Sequence, residues 1–139
     1  MKAEAAEQMV AAAAAAAVDS AMSPPLAPGE PVIDLAHLAR MTLGERDLER
    51  EVLDLFDRQA GMLLSRMACE SPRVVAAHAH TLSGSARGIG AFKVAEAAEN
   101  VERAATQPGA IALTGAMDRL AAAVADAQAV ISEMLRRAH

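Results

Sequence analysis

The chain has 139 residues and a mass of 14.4 kDa, the size of one domain. About a quarter of its residues are alanine, two are phenylalanine and none is tyrosine or tryptophan, so the residues that fill strands are scarce and an all-β or large α/β fold is disfavoured. Thirteen basic against eighteen acidic residues leave a formal charge of -5, which excludes a basic surface large enough to track a phosphate backbone, and with it a nucleic-acid partner.

Met1 to Met22 is alanine-rich and of low complexity, and Ser23 to Pro31 holds four of the six prolines. Proline fixes φ and removes an amide donor, so the second stretch reads as a linker and residues 1–31 as a flexible arm. The apolar run Met9 to Val18 follows Glu4 and Glu7 rather than a basic cluster and is too short to span a bilayer. Neither a signal peptide nor a membrane helix is expected, and the default compartment is the cytoplasm. The single Cys69 excludes an internal disulfide, agrees with a reducing compartment, and belongs to no zinc-like spacing.

The folded domain is expected over residues 32–139. Val32-Ile33-Asp34 leads into a short helix, Leu35 to Met41, and Thr42-Leu43-Gly44 turns the chain into a second helix from Glu45 to Met67. Leu48, Val52, Leu55, Phe56, Met62, Leu63 and Met67 recur there at three- and four-residue steps. Ser71-Pro72 is a helix start, with serine capping and proline at the first helical position. The third helix then runs to about Arg87, ended by Gly88-Ile89-Gly90. A fourth covers Phe92 to Ala105. After Thr106-Gln107-Pro108-Gly109 the last helix, Ala110 to Arg137, carries Leu113, Met117, Leu120, Val124, Ala127, Ile131 and Met134 as a bundle seam. The fold predicted is all-α, an antiparallel four-helix bundle with a short extra N-terminal helix. A core without large aromatics must be closed by Leu, Val, Ile, Met and Ala, which suits helices that approach closely.

On the third helix Val75, Ala79, Leu82, Ala86 and Ile89 form one narrow stripe that must face the core. His80 lies roughly 140° from the centre of that stripe and should face solvent. Ala76 stands one turn before it, Ser83 and Gly84 one turn after, and Arg87 two turns after. A helical glycine costs about 0.5–1 kcal/mol relative to alanine. In a chain this rich in alanine, Gly84 makes sense where something must approach the backbone closely beside the imidazole. A lone exposed histidine on a helix is otherwise unremarked surface. His78, near the edge of the stripe, reads as a partly buried, hydrogen-bonded structural histidine; His37 and His139 lack a supporting constellation. His78 and His80 do not make a metal pair, because positions i and i+2 point about 160° apart.

Ala79-His80-Thr81-Leu82-Ser83-Gly84-Ser85-Ala86, followed by Gly88-Ile89-Gly90 and an alanine-rich helix ending Asn100-Val101-Glu102, resembles the histidine-containing phosphotransfer (HPt) domain of bacterial phosphorelays. The resemblance covers Val32 to His139. It implies an antiparallel four-helix bundle whose exposed histidine, here His80, accepts a phosphoryl group at Nε2 from a receiver-domain aspartate or a histidine kinase. The histidine then passes the group to a response-regulator receiver domain. It also implies that the chain binds no cofactor, that Mg2+ sits on the partner receiver, and that no autonomous kinase or hydrolase activity belongs to the chain.

Ser83 departs from the family pattern, which commonly has lysine three residues after the histidine, and Arg87 is the candidate replacement for that charge. Glu99 and Glu102 share a helix face; in some relatives an acidic residue at the position of Glu102 orients the imidazole, while both also read as solvated surface carboxylates. Partner docking is expected through Ala76, Ser83, Gly84 and Arg87 with the adjoining surface of the second helix. The chain is expected to be a monomer. The loss of lysine at position 83 motivates an alternative, a receiver-binding adaptor or inhibitory module that is not phosphorylated. A third possibility is a helical dimerisation domain whose last-helix seam pairs between chains.

Overall fold

A computed structural model describes residues 31–137; the arm predicted over 1–31 lies, apart from Pro31, outside them. Five helices follow one another: α1 (Leu35–Met41), α2 (Arg46–Met67), α3 (Pro72–Ile89), α4 (Phe92–Ala105) and α5 (Ala110–Arg137). Each boundary has a local cause. The Asp34 carboxylate caps α1 by accepting the His37 amide N–H at 3.1 Å. Leu43 (φ 56) and Gly44 (φ 73) turn the chain through the left-handed region into α2. Ser71 has the extended backbone of an N-cap before Pro72, but contrary to expectation its hydroxyl makes no capping bond. Pro72 itself removes one amide that would otherwise lack a partner.

The long helices close a ring. α2 packs on α3, α3 on α4, α4 on α5, and α5 returns to α2, with connections of only two to four residues between them. Such short loops make sequence neighbours antiparallel, so the chain is the expected four-helix bundle with α1 added against α3. The core runs through Leu53 and Phe56 of α2, Leu82 of α3, Val94 and Val101 of α4, and Leu120, Val124 and Ile131 of α5, all buried. Of the predicted α5 seam, Leu113, Met117 and Met134 sit partly buried at its ends. Gln128 of α5 also donates to the Asp57 carbonyl of α2 at 3.3 Å.

Two expectations about faces change. Met62 is 47% exposed, because it lies about 120° around the helix from Phe56, while Ala60, Leu63 and Met67 continue the buried stripe. On α3 the burial is wider than one stripe: every residue from Leu82 to Gly90 is buried except Arg87. The helix also continues through Gly88 and Ile89, two residues beyond the predicted end, and closes on Gly90 in the left-handed conformation, φ 88. The reason is α1. His37 donates from Nε2 to the Gly88 carbonyl at 3.1 Å and meets the Phe92 ring edge-on, and the Asp34 amide donates to the Gly90 carbonyl at 2.9 Å. The short helix thereby covers the last turn of α3.

Gly90 is required twice. Its φ belongs to glycine, and a Cβ there would lie 2.8 Å from the Asp34 carbonyl oxygen. Gly90→Ala is therefore expected to destabilise the fold by about 2 kcal/mol or more. Urea denaturation followed by circular dichroism reads this as a lowered midpoint with unchanged slope; an unchanged midpoint would contradict the docking of α1 on the end of α3.

Candidate functional site

The buried residues of α3 and α4 are predominantly small. α3 buries Ala79, Ser83, Gly84, Ser85, Ala86 and Gly88 alongside Val75, Leu82 and Ile89, and α4 buries Ala95, Ala98 and Ala104 alongside Val94 and Val101. Helix axes approach to about 8 Å rather than 10 Å where the contact residues are small. Side chains on the flanks of these two helices consequently meet across the groove. The register is antiparallel: His80 faces Glu102, and further along α3 Ser83 and Arg87 face Glu99.

His80 is where the sequence places it, on the outer side of α3, with 52% of its side chain exposed. Its Nδ1 lies 3.2 Å from one Glu102 carboxylate oxygen and 3.4 Å from the other. A carboxylate only accepts, so in the neutral ring Nδ1 carries the proton and donates it, leaving the Nε2 lone pair unprotonated. Nε2 has no hydrogen-bond partner among the described residues. The imidazole is thus held by one nitrogen and offers the other, as a nucleophile or proton acceptor requires. Glu102, 38% exposed, is hydrogen-bonded to the ring rather than merely solvated.

The second carboxylate of this face overturns its expected role. Glu99 is not a solvated surface group: its Oε1 accepts from Arg87 Nε at 3.0 Å, from Arg87 Nη2 and from the Ser83 hydroxyl at 3.4 Å. The Arg87 side chain is only 15% exposed and that of Glu99 33%. An ion pair so shielded is stronger than one on the open surface, although desolvation offsets part of the gain.

The rim around His80 also differs from expectation. Ser83 and Gly84 are buried, and Ala76 is half-buried, so the docking face predicted from Ala76, Ser83, Gly84 and Arg87 is not an open strip. The exposed residues of α3 next to His80 are Ala77 and Thr81, with Arg73 nearer the start of the helix. Thr81 turns its hydroxyl back to the Ala77 carbonyl at 3.2 Å. His78 is half-buried as predicted, but no hydrogen bond to its ring is present among the described residues.

His37, which sequence reasoning set aside, is a docking residue of α1; the Asp34 cap at the start of that helix was its only local signal. Among the described residues no three His, Cys, Asp or Glu side chains could hold a metal ion, and no helix is long and apolar enough to cross a membrane.

The Glu102 contact has a spectroscopic consequence. Free histidine side chains favour the Nε2–H tautomer, whereas neutral His80 is expected to be mainly Nδ1–H in a long-range proton–nitrogen correlation spectrum, and Glu102→Ala should return it toward Nε2–H. A wild-type ring dominated by Nε2–H would contradict the arrangement.

No curated protein and no solved structure matches the chain. A family model does, that of the Hpt domain, over residues 47–137. Hpt domains serve histidine phosphotransfer in phosphorelays, where they interact with receiver domains or kinases. The match runs from the first turn of α2 to the end of α5 and takes in His80, Glu99 and Glu102, well over half of the chain, and the protein belongs to the Hpt domain family.

Proposed function

We propose that this chain is a phosphorelay intermediate in which His80 Nε2 accepts a phosphoryl group from a receiver-domain aspartate or a histidine kinase and delivers it to a response-regulator receiver domain. The observation that carries the proposal is the Nδ1–H bond to Glu102, which leaves Nε2 as the unprotonated nitrogen of a half-exposed ring. In the forward step the Nε2 lone pair attacks phosphorus, a P–N bond forms, and the P–O bond to the donor aspartate breaks with its electron pair leaving on the carboxylate. No proton has to move. The ring becomes an N-phosphorylated imidazolium, whose positive charge the Glu102 carboxylate balances. In the onward step an acceptor carboxylate oxygen attacks phosphorus, the P–N bond breaks, and neutral imidazole is restored.

The chain supplies the nucleophile and its orientation, and the receiver supplies the aspartate and the Mg2+ that stabilises the transferring charge. Ala77 and Thr81, the exposed residues beside His80, offer the partner a shallow approach. A modest affinity suits a protein that must release its partner after each transfer. We also propose that the chain acts as a monomer, its α5 seam being spent within its own bundle, and in the cytoplasm, where receiver domains work.

The adaptor alternative keeps its motive, since no lysine stands at position 83 and the Ser83 hydroxyl is turned to Glu99. Incubation with a phosphorylated receiver domain separates the two. Acid-labile label should appear on the wild type, vanish in His80→Gln, and appear about tenfold more slowly in Glu102→Gln, where the ring loses its charged orienting partner. Label persisting in His80→Gln would overturn the assignment, and receiver binding without label would favour the adaptor.

A further inference from the structure

The row of charges along the α3–α4 groove is longer than a positioned nucleophile needs. Glu102 holds His80, and one turn away on the same face of α4 Glu99 holds Arg87 and Ser83. We propose that Glu99 is a positioning residue that holds the Arg87 guanidinium in reserve and competes for it with the phosphoryl group on His80. The proposal rests on the reading of His80 as the phosphoryl-accepting residue.

Three features of the groove support it. First, a phosphoryl group brings close to two negative charges at neutral pH, and it arrives beside the Glu102 carboxylate with Glu99 a turn further on. A cation is needed there. Second, Arg87 is two turns after His80 on α3, about 10 Å of helix rise, and helical side chains lean toward the N-terminus, so Arg87 leans toward His80. Between them on that side of the helix stand only Ser83 and Gly84, which put no bulk in the way. Third, the guanidinium fork that now meets a carboxylate fits phosphoryl oxygens equally well. With His80 unmodified, Arg87 neutralises Glu99. With the phosphoryl group in place, the more highly charged anion draws the guanidinium, and Glu99 turns toward water, to which it is already one-third exposed. The depth of the Arg87–Glu99 pair then sets how far the phosphorylated state is favoured.

The experiment needs no cognate partner. Phosphoramidate phosphorylates the imidazole directly: Nε2 bonds to phosphorus, the P–N bond of the N-protonated donor breaks, and ammonia leaves with its electron pair. At fixed phosphoramidate and ammonia, approached from both directions, the ratio of phosphorylated to free protein is read by intact mass at neutral pH. Glu99→Gln should raise that ratio about three- to tenfold, Arg87→Gln should lower it by a similar factor, and Glu99→Asp, which keeps the charge, should stay near the wild-type value. In the Arg87→Gln background, Glu99→Gln should change it less than twofold.

An unchanged ratio in Glu99→Gln would overturn the proposal, as would an equal gain with and without Arg87, which would mean direct repulsion alone. A measurement without substitutions stands beside these: the Arg87 Nε–H resonance of the wild type should shift on phosphorylation, and a resonance that stays in place contradicts the exchange. Failure of the wild type to take the label, or label retained in His80→Gln, would instead remove the underlying reading and this proposal with it.

Discussion

Small residues packed between α3 and α4 set the distance on which the site depends. A hydrogen bond from Nδ1 to a carboxylate at 3.2 Å tolerates only a few tenths of an ångström before it weakens, whereas replacing alanine by larger apolar residues moves helix axes apart by about 1–2 Å. With Ala79, Ala86, Ala95 and Ala98 all fully buried, the axes stay close enough for Glu102 to fix the imidazole and for Glu99 to reach Arg87. The alanine content that points to helices in general is thus, within these two helices, a specification of groove width. Leucine, valine, isoleucine and one phenylalanine fill the centre of the bundle and hold that groove rigid.

Most of the architecture is legible in the residues. Pro72, the Asp34 cap, the Leu43-Gly44 turn and Pro108-Gly109 punctuate the chain, and three- and four-residue spacing marks the faces that close on Leu53, Phe56, Leu120 and Ile131. The exposure of His80 follows from the same geometry. Less legible is whatever depends on two elements at once. Periodicity assigns one buried face to a helix, so it leaves Ser83 and Gly84 to solvent and stops α3 at Arg87; in the fold Ser83 turns to Glu99 of α4, and α1 docks through His37 onto Gly88 from 51 residues away, where the helix runs on. Likewise Glu99 and Glu102 look alike on the α4 face, and only the antiparallel register against α3 gives one to the imidazole and the other to the arginine. The alanine-rich arm lies outside the described residues.

On the proposed reading, the division of labour between chain and partner follows from what the groove contains. It holds one nucleophilic nitrogen, one carboxylate that fixes the ring, and a paired arginine one turn beyond Ser83. Such a set can accept and carry a phosphoryl group. Its protein chemistry is therefore electrostatic: a carboxylate that orients the ring, and a cation whose availability depends on a competing carboxylate. Transfer rates then belong mainly to the receiver, while the free energy at which the phosphoryl group is held belongs to this chain.

On the proposed reading, Glu102 fixes Nδ1 as the protonated nitrogen and leaves Nε2 to receive phosphorus. Nitrogen-15 labelling of histidine in the phosphorylated protein tests it at the atom concerned. Phosphorus–nitrogen coupling should appear on Nε2 of His80, with Nδ1 retaining its proton; coupling to Nδ1 of His80, or to any other histidine, would contradict it.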